Sequence, residues 1–502
     1  MIPGKKFKGI ARKIINTHKY VFCYVLYGDF VLKQLKNIVI FFMCLTIVWT
    51  STLDATVDAE PYVESYQLSI TCCNFLEHIQ EFTNQSLLIK ISSTALSSPM
   101  EIHSSKRFLT EEHTVVLQPV EDRYISVYFE VYEISDKSYI LCDLNEEPGI
   151  GSAEIIFDTY TGKWTGDDFL KDKSGYGRLN GCDDESYDVY EYDVELRFTI
   201  EVIDQDGDGI PRWFEEHVYG SDPFADDADR DDDMDGVPLF WEYCWEYDPF
   251  TFDDHVLLDP DNDGLSNHEE YLVCIWGSDP FRKDMFMELD QMQIGPNNEG
   301  SFVPESSLIR VAQTYAKRNI VFHVDDGCMG GGDILPYEPV LWMGKGRTYY
   351  QRYFLQNDSD HWRRGVFRYA LFVYNHLPIR GMEFPAEHSI LLYFIPGLNS
   401  FVISTLILDR VSIPSDEACA FIILHELGHT LGMCMGRPMG CDNQLMRFPF
   451  SLQNILFKNY KSVMNYKYAY SILDYSDGSH GIGDFNDWGY LDLTYFQPKG
   501  AL

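Results

Sequence analysis

Positive charge is in short supply in this chain. Lys and Arg together number 39 against 78 Asp and Glu, a formal charge of −39. Nucleic-acid binders carry the opposite balance, clustered on one face, so no nucleic-acid partner is expected. A long hydrophobic run is also lacking. The apolar stretch at residues 38–49 is about twelve residues, well short of the roughly 20 that cross a bilayer. A basic lead (Lys5, Lys6, Lys8, Arg12, Lys13) precedes it, and small residues with a cleavage site at Val57-Asp58-Ala59 follow. That layout reads as a signal peptide. The chain is therefore expected to be secreted or extracellular, touching a membrane only through residues 1–59 if that segment stays as an anchor. A phosphate loop is missing as well, because CMGGG at 328–332 has no following Lys-Ser/Thr pair.

Acid is what the sequence has in surplus. Such an excess gives a self-repelling soluble surface, or it is neutralised by bound cations. The acid clusters below favour cations for part of it. Twelve cysteines are present; the leader takes Cys23 and Cys44 and leaves ten, a number compatible with disulfides outside the cell. Cys434 and Cys441 are close enough in sequence to staple a loop. Asn84 and Asn357 head glycosylation triplets.

Three regions follow the leader. Residues 60–200 read as a β-sandwich-like domain, with alternating aromatic and β-branched runs at 124–132 and 189–200. No catalytic constellation lies there. Residues 201–283 repeat with a period of about 28. Residues 284–502 change to a mixed α/β (α+β) pattern: a strand DMFMELDQM, a helix at 306–317, strands at 319–324 and 367–374, and a helix at 415–431 with Ser415 as N-cap and Gly432 as its end.

Each repeat carries acids at loop positions 1, 3 and 5, glycine at 6 and Glu at 12. Alternate carboxylates converge as such a loop curls, the glycine allows the sharp turn, and the distal Glu clamps calcium with both oxygens. Three calcium sites are expected: Asp204, Asp206, Asp208 and Glu215; Asp231, Asp233, Asp235 and Glu242; Asp259, Asp261, Asp263 and Glu270. The units resemble thrombospondin type 3-like repeats and dockerin-type calcium loops. That resemblance implies a stiffened spacer between two domains.

The sharpest signal is HELGHTLG, residues 425–432. On a helix, residues four apart share a face, so His425 and His429 can hold one zinc ion. Glu426 can then act as general base toward a zinc-activated water. Downstream comes SVMNY at 462–466. These residues together resemble the metzincin clan of zinc peptidases, from about residue 284 onward. The resemblance implies a zincin fold, peptide-bond hydrolysis, a methionine turn at Met464 and an oxyanion-stabilising tyrosine at Tyr466. The clan's third ligand falls six residues after the second histidine, where this chain has Met435. The third ligand is therefore expected from the following loop: Asp442 first, with Cys441 and His480 as alternatives, and a Cys434–Cys441 disulfide would present Asp442. His323, with Asp325 and Asp326, reads as structural rather than as a second metal site. The residues also allow a calcium-stiffened adhesion protein with an inactive peptidase fold, or a zinc enzyme acting on something other than protein.

Overall fold

The computed structural model describes residues 65–496, apart from 76–85, 106–107, 110–111, 120–121, 136–137, 146, 148–149, 169–176, 182–192, 204–205, 343–344, 378–380, 384–398, 411–413, 435–436, 444–449 and 469. The leader, Asn84, Asp204 and Met435 lie outside the described residues.

Residues 65–203 form two antiparallel sheets. One runs Gly177–Asn180, Val194–Ile203, Ser65–Phe75, Phe108–Leu109, with His113–Leu117 also on Ser65–Phe75. The other runs Met100–Ser104, Ser86–Ser93, Tyr124–Ser135, Ala153–Asp158, Lys163–Gly166, with Ser138–Leu141 also on Tyr124–Ser135. Period-two alternation decides which side chains turn inward. Ile125, Val127, Phe129 and Val131 are buried while Tyr124 and Tyr128 face solvent. Leu68, Ile70 and Phe198 of the first sheet share one core with Ile89, Val127 and Phe129 of the second, which is a two-sheet sandwich.

Residues 206–281 are acidic loops, each followed by a short helix. The helical turn Glu215–Tyr219 follows the first loop, helix α1 (Leu239–Trp245) the second and helix α2 (Asn267–Val273) the third. Each helix is too short to stand alone. Small aromatic clusters hold them, such as Trp241 stacked on Tyr247 with centroids 5.7 Å apart. A capping box between Ser266 and Glu269 starts α2.

The C-terminal region is built on a mainly parallel sheet. Its order is Val321–Asp325, Asp284–Met292, Phe367–Val373, Ser400–Ser404, Gly381–Glu383, the last strand antiparallel at the edge. The central strands are buried along nearly their whole length, as a sheet covered on both faces requires. Helices α3 (Glu305–Ala316) and α4 (Ser415–Thr430) cover one face through Met285, Met287, Leu308, Val311, Ile423 and Leu427. Tyr350 and Phe354 cover the other. The expected cap of α4 is corrected: Pro414, in extended conformation and without a side-chain bond, precedes the helix, and Ser415 is its first residue. Asp416 and Glu417 in the first turn favour the helix dipole. Gly432 breaks the chain away at φ 95°, a left-handed angle that suits glycine.

The regions are joined by cations on helix C-termini. Arg178 of the sandwich, fully buried, pairs with Glu195 and donates to the Ala316 carbonyl at the end of α3. Lys163 donates to the carbonyls of Tyr243 and Cys244 at the end of α1, at 2.9 and 2.7 Å. Among the described residues no helix is long and apolar enough to cross a membrane.

Candidate metal centres

Helix α4 places His425 and His429 on one face, and the chain brings Asp442 to meet them. Asp442 Oδ1 lies 3.0 Å from His425 Nε2, and Oδ2 lies 3.3 Å from His429 Nε2. Both imidazoles are oriented from behind. His425 Nδ1 donates to the Val463 carbonyl at 3.0 Å, and His429 Nδ1 to the Met433 carbonyl at 2.8 Å. Such bonds put the proton on Nδ1 and leave Nε2 as a metal donor. Asp442 Oδ1 is buried and has no hydrogen-bond partner. Two imidazole nitrogens and one carboxylate are a zinc donor set, so the residues fit that ion.

Electrostatics agree with the geometry. Burial raises the Asp442 pKa, but His429 and His425 outweigh it and hold the carboxyl far below its usual range. Burial works against protonation of His425, and Asp442 reverses the sign and raises it. Glu426, almost fully buried one residue along α4, adds to that rise.

One loop serves both ligand groups. Within residues 462–466, Val463 accepts from His425, and the Met464 carbonyl accepts from the Asp442 amide at 3.1 Å. Met464 is fully buried beneath α4. A Cβ on Gly428 would come within 2.6 Å of its Sδ, so glycine is what lets helix and loop approach. The Tyr466 ring stacks on His425, centroids 5.7 Å apart, and its hydroxyl helps hold Asp442 ionised.

The two alternative third ligands fall elsewhere. His480 Nδ1 sits 2.9 Å from Asp484 and 3.7 Å from Asp477, in its own turn. Cys441 is buried outside the His425, His429 and Asp442 group. Among the described residues, Cys434 and Cys441 are not joined as a disulfide. The loop is shaped instead by backbone bonds between Cys434 and Arg437.

The acidic loops gather their carboxylates as well. Asp206, Asp208 and Glu215 converge in the first, and Asp231, Asp233 and Asp235 in the second. In the third, Asp259 and Asp261 each bury an oxygen without a hydrogen-bond partner, and Glu270 buries two. Burial pushes Glu215 up to about 8 and Glu242 to about 9, with neighbouring acids adding to both. Asp261 rises to about 10 for the same reasons.

Sequence reasoning missed three residues here. Asp227 adds charge to the first site and buries an unpartnered oxygen. Asp284 adds charge to the third. His255 joins Asp235 and Glu242 in the second. His323 donates to Asp284 at 2.7 Å and stacks on Phe286, a structural position. Asp325 accepts from the amides of Gly327, Met329 and Gly331, so a carboxylate fills the cradle of the CMGGG loop.

No protein-family model matches the chain, and no curated protein matches it. Solved structures similar to it include a C2 domain of plant extended synaptotagmin 1, 10% identical over 28% of this chain and 94% of that one, with a TM-score of 0.18. Human GIVD cytosolic phospholipase A2 is 9% identical over 28% of this chain and 17% of that one, with a TM-score of 0.17. Likenesses at these scores carry no argument.

Proposed function

We propose that the chain is a secreted zinc-dependent metalloendopeptidase of the metzincin type, acting on protein or peptide. The observation that carries this reading is the meeting of His425 Nε2, His429 Nε2 and the Asp442 carboxylate beside the buried carboxylate of Glu426. Zinc there supplies Lewis acidity toward the scissile carbonyl and lowers the pKa of a nearby water. The two histidines fix its position through their carbonyl-anchored rings, and Asp442 offsets its charge. Glu426 accepts the proton of the attacking water and returns it to the leaving amine. Tyr466 turns its hydroxyl from Asp442 to the oxygen that gains charge in the transition state. Calcium in the first and third acidic loops stiffens the passage from the sandwich to the catalytic domain.

The test is casein hydrolysis by the purified full chain before and after metal stripping. Activity lost on chelation and restored by zinc supports the reading. Hydrolysis of a non-peptide substrate alone, in a panel holding both kinds, overturns it.

A further inference from the structure

We propose that the second acidic loop is a nitrogen-containing site for a transition-metal ion of the zinc class, with Asp235, Glu242 and His255 as ligands, rather than a calcium site. Their donor atoms lie within 4.8 Å of one another. The three residues are 8%, 0% and 0% exposed. They arrive from three places: the loop, helix α1, and the segment leading to the third loop.

The donors are aimed at a common point. Both carboxylate oxygens of Glu242 are buried with no hydrogen-bond partner, and so is His255 Nε2. That nitrogen lies 3.0 Å from Asp235 Oδ2, yet the two do not meet as a hydrogen bond. His425 Nε2 and Asp442 Oδ1 stand in the same relation, also 3.0 Å apart, with Asp442 Oδ1 unpartnered. Zinc bonds of about 2.0–2.2 Å at tetrahedral angles put neighbouring donors roughly 3.3–3.5 Å apart, close to this spacing.

Ligand chemistry sets the class of ion. Calcium takes oxygen ligands, whereas imidazole suits zinc and its neighbours. The third loop surrounds its centre with carboxylates of Asp261, Asp263, Glu270 and Asp284. In the second loop a histidine joins the carboxylates. The ring is held in place by Trp241 and Tyr247, edge-on at 5.3 and 4.8 Å. His255 Nδ1 lies 3.0 Å from the side-chain amide of Asn267, whose Oδ1 has no partner. The same Nδ2 donates to the Tyr247 hydroxyl at 2.9 Å. Turning the amide over makes its oxygen the acceptor for both the Tyr247 O–H and His255 Nδ1–H, the latter being the outer contact a metal-bound imidazole makes.

The experiment counts metals without the peptidase site. Full chain carrying His425→Gln and His429→Gln is stripped, then dialysed against millimolar calcium with a slight excess of zinc. Zinc per chain is measured by mass spectrometry. The expected result is one zinc ion retained, and lost when His255→Gln is added. Zinc-edge absorption on the double variant, which leaves His255 intact, must show imidazole among the ligands. If the double variant does not fold, the comparison is made in the wild type, where His255→Gln must lower the count by one. No zinc in the double variant, or a count unmoved by His255→Gln, overturns the proposal. Failure of the peptidase reading leaves this count unaffected.

Discussion

At Asp442 the backbone stands at φ 53°, a left-handed angle that asparagine accepts far more readily than alanine. Asp442→Asn therefore removes the charge and little else. Zinc affinity is expected to fall about 100-fold or more, since even outer-shell changes cost roughly 10–100-fold. Zinc titration of the folded variant checks this, and unchanged affinity would remove Asp442 from the ligand set. His425 and His429 were legible in the sequence because helical geometry fixes what residues four apart share. Asp442 stood among three alternatives, because an irregular loop's length does not fix which side chain it returns. Asp227, Asp284 and His255 were missed because they reach each cluster from the segment after its loop. A signal existed: Asp227 follows Asp208 by 19 residues and Asp284 follows Asp263 by 21.

At the scale of elements, the loops and the strand after them form one unit. The Asp284 amide opens the strand Asp284–Met292 and donates to Asp263 of the third loop at 2.6 Å. The Asp284 side chain pairs with Arg282 and His323, both at 2.7 Å. The acids set a pH dependence whose sign is fixed. Glu215 and Glu242 rise from 4.5 to about 8 and about 9 when no ion faces them. The folded state then holds more protons than the unfolded state above pH 4.5, so stability falls as pH rises toward 8. Chelated protein is expected to melt at progressively lower temperature from pH 5 to pH 8, and protein loaded with both calcium and zinc is not. Parallel melting curves would contradict the cation sites. Strand positions in the sandwich were readable from alternation, and the strand DMFMELDQM from the change of pattern at residue 284. The short helices after each loop, which carry the distal Glu215, Glu242 and Glu270, are held by tertiary contacts rather than by propensity.

Across the whole molecule, a formal charge of −39 opposes compaction unless cations are bound, and ions that bind only the folded chain stabilise it by mass action. Contacts between regions resist the same repulsion. Arg178 joins the sandwich to the end of α3 with no exposure to solvent. Arg178→Ala leaves the buried Glu195 with Arg197, 2.6 Å away, and takes a donor from the Ala316 carbonyl; it is expected to cost about 1–3 kcal/mol, read from denaturant unfolding. The order of regions was legible from shifts in pattern and charge. The docking was not, since Arg178 and Ala316 are 138 residues apart and no local rule links them. The central claim meets its most direct test in casein hydrolysis by the full chain beside Glu426→Gln, with zinc measured in both. The account predicts equal zinc content and a rate about 100- to 10,000-fold lower in the variant, the range typical of a lost general base. Equal hydrolysis by both proteins, or zinc bound with no hydrolysis by either, would contradict it.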